Sequence, residues 1–439
     1  MYGRGSFNSL VAVSALALMA ACSGGFGDVT RGATSISGTD DGAATPALDS
    51  QQITGEQSQI IEGLLNRQSV LEDGAFANVA KAVLAANSRA AEAELRAATL
   101  RAEARANNWL PTLGPSLSLS SLGDVVTSLV IEQVLFDNGR KKAERDYAAA
   151  DVEVAAVALA VDTNGRVLAA LELYIDSEQA KARARVNNAA MERMSHFEYV
   201  MTERVRGGVS GRVDLQIVQQ KMNQMRSDMS SDQEAAASAL SELGAMSANS
   251  LDGISGLSSV NGGNPNAQPL TVMKAEAESE RAIAEAIVAR AGFLPGLTAA
   301  GSVGSGGSAG GLNVTTDNGF GFGTGASLRA LEEQQAAAAA RVGQVQEDAN
   351  RSLRALEGKL SSLQRQESQA QSLASQAAEN YDIFAEQQRS GHRAVPEVVG
   401  IFETKVRTER EAVSLRYEIA RVKLRIAAQM GTLVNGEQI

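Results

Sequence analysis

From Arg140 to Arg206 the chain runs without a proline and with one glycine, Gly165. Ala, Arg and Glu dominate the stretch together with Val, and the first three lose little on entering a helix. At 1.5 Å per residue an unbroken helix over this span is roughly 100 Å long. A helix of that length cannot bury its apolar stripe within one compact domain, so it requires partners alongside. Val154, Val157, Val161, Asn164, Leu168, Leu171 and Ile175 step by three and four, as a coiled-coil seam does. Leu353, Leu356, Leu360 and Leu363 repeat the spacing, as do Leu215, Val218, Met222, Met225 and Met229. So do Val398, Ile401, Lys405, Thr408, Ala412, Leu415, Ile419, Val422 and Ile426. The methionines read as seam packing, since thioethers fill irregular gaps.

Two short turns interrupt these helical stretches. "RGGVSGRVDL" (Arg206–Leu215) and "RSGHRAVPEV" (Arg389–Val398) align without a gap, Gly208 with Gly391, Asp214 with Glu397 and Leu215 with Val398. "NNWLPTLG" at Asn107 recurs as "AGFLPGLT" at Ala291. The chain therefore reads as one duplicated unit, with repeats at 74–247 and 269–433, a polar Gly- and Asn-rich linker at 248–268 and a tail at 434–439. Each repeat is expected to run helix, β-hairpin, long helix, turn, helix. The hairpins are placed at about 112–136 and about 296–328. Leu113, Leu117 and Leu119 alternate with Gly and Ser in the first; Phe320, Phe322 and Thr324 alternate with Gly in the second. "SSLGD" after Leu119 and "GSGGSAGG" after Val303 are expected to be their loops. The alternation fits a membrane strand whose polar face lines water, and equally a soluble edge hairpin.

Composition excludes several classes of function. A formal charge of −11 argues against nucleic acid, whose phosphates need a basic face. One cysteine rules out a disulfide framework or a cysteine metal cage within the chain. His392 lies in a turn and His196 in a helical stretch, where solvation and packing account for them. No catalytic constellation can be assembled, so no enzyme activity, metal or cofactor is expected. The lone cysteine, Cys22, follows the apolar run "LVAVSALALMAA", which is too short to span a bilayer. Residues 1–21 read as a signal peptide, and "MAAC" resembles the lipobox of bacterial lipoproteins, with Met19 where Leu is commoner. That resemblance implies a lipid on Cys22; an ordinary signal peptide with an incidental cysteine is the other reading. Residues 22–73 are expected to form a flexible tether.

Two strands per repeat give four per chain, too few to close a barrel. An open sheet edge in lipid leaves backbone groups unpaired at several kcal/mol each. Either the strands lie outside a membrane or several chains pool them, and three chains would supply twelve.

With the duplicated Leu-Pro, "VLFDNGR" (Val134–Arg140), both turns and "QMGTL" (Gln429–Leu433), the chain resembles the TolC-like outer-membrane factor (outer membrane efflux protein) family from about Gly74 to Leu433. The resemblance implies a trimeric 12-stranded β-barrel in the outer membrane that continues into an α-helical coiled-coil tunnel across the periplasm. The barrel meets outer-membrane lipid, and the implied partners are a periplasmic adaptor (membrane fusion) protein and an inner-membrane pump or ABC exporter. Gly208, Val209, Gly391, Leu215 and Val398 would form the hairpin tips and adaptor contact. Asp214 and Arg393 match a tip lock between neighbouring hairpins, and Glu397 matches the first acid of an entrance ring. Gln388 stands where the family has the lock tyrosine, and Gly400 where it has the second ring acid. Ordinary hairpin capping is the alternative for these residues. Small-molecule efflux and type I protein secretion both fit the implied architecture. A periplasmic coiled-coil structural or adaptor lipoprotein without a barrel is the rival of a different class.

Overall fold

The computed structural model describes residues 58–86, 90–119, 125–251, 253–261, 267–305, 307–319 and 321–438. The expected signal peptide, Cys22 and the loop at 120–124 lie outside the described residues. Each repeat holds the expected sequence of elements. In the first, α3 (Ala90–Ala106) leads to strands β1 (Thr112–Leu119) and β2 (Val125–Phe136), then α4 (Arg140–Arg206) and α5 (Arg212–Met246). In the second, α6 (Leu270–Ala291) leads to β3 (Gly296–Gly304) and β4 (Gly307–Thr315), then α7 (Thr324–Arg389) and α8 (Val395–Gln429). Two short helices, α1 (Gln59–Leu65) and α2 (Ala75–Leu84), precede them. The long helices have 67 and 66 residues, and each is followed after its turn by one of 35, so the duplication is metrical as well as sequential.

The start of α4 explains the "FDNGR" motif. Asn138 and Gly139 take positive φ, and the Asp137 carboxylate accepts the Gly139 and Lys141 N–H groups at 3.1 and 2.6 Å. Two otherwise unpaired donors at the helix start are thereby satisfied.

Helix α4 is the hub. It packs on α3 and α5 of its own repeat, on α6 and α8 of the other, and on α1 and α2. Its burial is therefore wider than the single expected seam: Val152, Ala156, Ala160 and Val167 are buried together with Val157, Leu171 and Ile175, whereas Val161 is 37 % exposed. By composition α4 contains a stretch apolar enough to cross a bilayer, but 56 % of that stretch is buried within the protein, and packing accounts for it. Helix α7 is the opposite case. It touches α6 and α8, and only Ala338, Leu363, Ala370, Tyr381 and Ala385 are buried along its 66 residues.

The expected tether and linker are both corrected. Residues 58–73 are not a tether: Ser58 caps α1 by accepting the Ile61 N–H at 3.2 Å, and Ile61 and Leu64 are fully buried in the main core. The linker docks as well. The Gly256 N–H donates to Glu178 at 2.9 Å, the Tyr174 hydroxyl donates to the Gly256 carbonyl at 2.8 Å, and Val260 bridges to Leu71. The segment after α8 closes this belt. Val70 N–H donates to the Thr432 carbonyl at 2.9 Å, and Leu433 N–H donates to the buried Asn164 at 3.0 Å. At its centre Arg67 donates to the carbonyls of Met430 and Gln268, and burial lowers its guanidinium pKa to about 10.

The four strands form one antiparallel sheet in the order β1-β2-β3-β4, with a bulge between Val134 and Phe136. The second hairpin ends earlier than expected. Strand β3 ends at Gly304 and β4 begins at Gly307, "SAGG" lies within β4 instead of in a loop, and Thr324 already starts α7.

Candidate functional site

The strand register sorts the sheet into two unlike faces. Leu113 pairs with Ile131, Leu129 with Val303, Ala299 with Leu312 and Leu297 with Val314, so apolar side chains share one face. That face is bare: Leu117 is 72 % and Val314 70 % exposed, and Leu113, Leu129, Ile131, Val303 and Leu312 are exposed with them. The other face carries Thr112, Ser116, Ser118, Ser128, Ser302 and Asn313 among Gly, Ala and Val. Among the described residues, strands β1 and β4 each have one unpaired edge. In water, such a face would be a large unshielded apolar patch with two sticky edges. In lipid, the edges demand strands from other chains.

The two turns have the same geometry. Gly208 and Gly391 sit at φ +72° and +81°, where a residue without Cβ is favoured. In the first, Val209 N–H donates to the Arg204 carbonyl and Gly208 N–H to that of Val205, at 2.9 and 3.1 Å. In the second, His392 N–H donates to Gln387 and Gly391 N–H to Gln388, at 2.8 and 3.0 Å. This pattern of crossed bonds ends each long helix by satisfying its last carbonyls.

Around the turns the expected site residues separate. Val209 is exposed at the tip. Val398 is fully buried and Leu215 half-buried in a tip core with Met194, Phe197, Met201, Met222, Tyr381 and Phe402. Val398 thus cannot offer the adaptor surface expected of it; its seam role prevails. The Asp214 carboxylate accepts the Gly211 N–H at 3.3 Å and caps α5. Arg393 donates to Glu397 at 3.1 Å and Gln387 at 3.0 Å and lies 4.6 Å from the centre of the Phe384 ring. Within one chain, therefore, the structure brings Arg393 to Glu397 and leaves Asp214 with backbone. Gln388 is half-buried beside the turn.

Sequence reasoning missed a row of ion pairs that ties the repeats together. Along α8, Glu403 meets Lys221, Arg410 meets Asp228 and Asp232, Arg421 meets Asp176, and Arg425 meets Glu172. Positions 403, 410, 421 and 425 fall on one face of a 3.6-residue helix, which was the available signal. The buried Asp232 is the densest point. It receives Arg410 at 2.7 Å and Arg183 at 2.9 Å, so α5, α4 and α8 converge on one carboxylate.

No protein-family model matches the chain, and no curated protein matches it. Solved structures do. A membrane protein from Pseudomonas aeruginosa superposes with a TM-score of 0.70 at 18 % identity, covering 90 % of this chain and 97 % of that one. The Campylobacter jejuni CmeC outer membrane channel gives 0.68 at 13 % identity, covering 90 % and 94 %. The open state of the Neisseria gonorrhoeae MtrE outer membrane channel gives 0.67 at 16 % identity, covering 89 % and 97 %. Two metrically equal repeats, a hairpin from each joined in one sheet and matching turns at the far helix ends thus give this chain the fold of the outer-membrane channels.

Proposed function

We propose that three copies of this chain form a passive outer-membrane duct of a tripartite export system. The observation that carries this reading is the four-stranded sheet with one exposed apolar face and two unpaired edges. Three such sheets joined edge to edge make twelve strands, turn the apolar faces to lipid and enclose the polar ones around water. Helix α7, with almost nothing buried, then finds its missing partners on neighbouring chains. The duct carries out no reaction; energy comes from an inner-membrane pump or ABC exporter, reached through a periplasmic adaptor at the exposed tips around Val209. Small molecules or secreted proteins are the cargo. Cys22 carries the lipid that anchors the mature chain to the outer membrane.

Arg393 and Asp214 contribute to closure between neighbouring hairpins, with Glu397 at the entrance. Because Glu397 already holds Arg393 within its own chain, the lock is shared rather than a single pair. The test is direct. Protein extracted from outer-membrane fractions should run as a heat-modifiable trimer and conduct in planar bilayers, and Arg393→Ala should raise its conductance. A folded monomer released by removing the lipid anchor would refute the duct.

A further inference from the structure

Strands β1 to β4 carry one ionisable side chain between them, Glu132. The register puts it in a row with Thr112, Ala300 and Gly311, on the polar face of the sheet. The next rows on that face are equally short: Gly114, Val130, Ser302 and Ala309 on one side, Val134, Thr298 and Asn313 on the other. Glu132 is exposed, and among the described residues its carboxylate has neither an ion pair nor a hydrogen-bond partner. It is therefore the longest side chain on an otherwise short and uncharged face, with no ion-pair partner among the described residues.

We propose that Glu132 sets the charge preference of the barrel, favouring cationic over anionic solutes. This rests on the duct reading above, because the polar face becomes a bore only when chains pool their strands. Symmetry then brings one carboxylate from each chain to the same height, so each bore holds three in a neutral wall. A low-dielectric wall focuses their field across the water between them, as acidic rings do in cation-conducting pores. The row of Thr, Ala and Gly keeps the bore open at that level and leaves the field unscreened by protein.

The experiment must separate this ring from Glu397 at the entrance. Pores carrying Glu397→Gln are reconstituted in planar bilayers, and the reversal potential is read in a tenfold KCl gradient at low salt. They should remain cation-preferring. Adding Glu132→Gln should lower the cation-to-anion permeability ratio at least twofold, Glu132→Asp should preserve it, and Glu132→Lys should reverse the preference. The difference should fade near 1 M salt, where the screening length falls to about 3 Å. An unchanged ratio in conducting Glu132→Gln and Glu132→Lys pores overturns the proposal while leaving the duct intact. Failure of the unmodified protein to form pores overturns the duct, and this inference with it.

Discussion

Replacing Asp232 with Asn removes a charge at the point where three helices converge. The Asp232 side chain is 6 % exposed, while those of Arg410 and Arg183 are 22 % and 34 % exposed. Removing one member of a fully buried ion pair costs about 3–5 kcal/mol, because the remaining charge is stranded. Both arginines keep some water here, and Arg410 retains Asp228 at 3.1 Å. The low end, about 3 kcal/mol, therefore applies. With an unfolding entropy of about 2.1 cal/mol/K per residue, a cooperative unit of roughly 380 residues should lose about 4 °C in Tm. Asp348→Asn is the matched control. Its Arg351 pair lies on α7 with side chains 52 % and 74 % exposed, and its loss should cost less than about 0.5 kcal/mol. Thermal melts of the detergent-purified protein, with and without 0.5 M salt, read both. The Asp232 deficit should persist in salt, because its charges are shielded from counter-ions. Equal shifts in the two variants, or less than 1 °C for Asp232→Asn, would refute the buried-junction argument.

Three further outcomes follow from the geometry. Gly391→Ala meets no atom within 4 Å and should cost only the left-handed backbone penalty, about 1–2 kcal/mol; Gly431→Ala places a Cβ 2.6 Å from Leu270 Cγ and should cost distinctly more in the same melts. Leu129→Arg, on the apolar face, should lose about 2–4 kcal/mol and deplete the membrane-assembled form, whereas Ser128→Arg on the other face should assemble normally, as read by heat-modifiable bands. Tyr174 is held protonated, first by burial and then by Glu178 and Tyr417, so its folded-state pKa lies above that of the free phenol. The stability it contributes is intact below about pH 10 and falls as pH rises further, because only the unfolded chain then gains by ionising. Tyr174→Phe should flatten the decline of Tm between pH 10 and 12.

The long helices and both turns were legible because their signals are local. The span of α4 is bounded by Gly139 and Gly207 with no proline between, and a left-handed turn position favours glycine, as at Gly208 and Gly391. The second hairpin was misplaced because β4, "GSAGGLNVT", is rich in a poor strand former, so Leu312 and Val314 give its alternation only at one end. The belt was hidden for another reason. Residues 58–73 mix polar and apolar side chains and residues 248–251 and 253–261 are mostly polar, and their order comes from docking on α4, a tertiary effect that composition does not record. The Ser58 cap followed by Ile61 and Leu64 was nonetheless a readable helix start. At the tips, Val398 had been placed both in the seam and at the adaptor surface. The seam pattern decides, because burying a valine outweighs any contact its side chain could offer outside.

The belt also joins distant parts of the chain. Ser69 meets Asn435 and Leu433, and Arg67 meets Met430 and Gly436, across more than 360 positions of sequence. Of the acceptors for Arg67, the Gln268 carbonyl comes from the middle of the chain, whereas the Met430 carbonyl and the Gly436 N–H that donates back to the Arg67 carbonyl come from its far end. A chain truncated within α8 would keep Arg67 on Gln268 but lose Met430, and would leave the flank of α4 at Asn164 uncovered. Closure of the belt thus fastens the first described helix to the segment after the last one, so neither end is secured until both are in place.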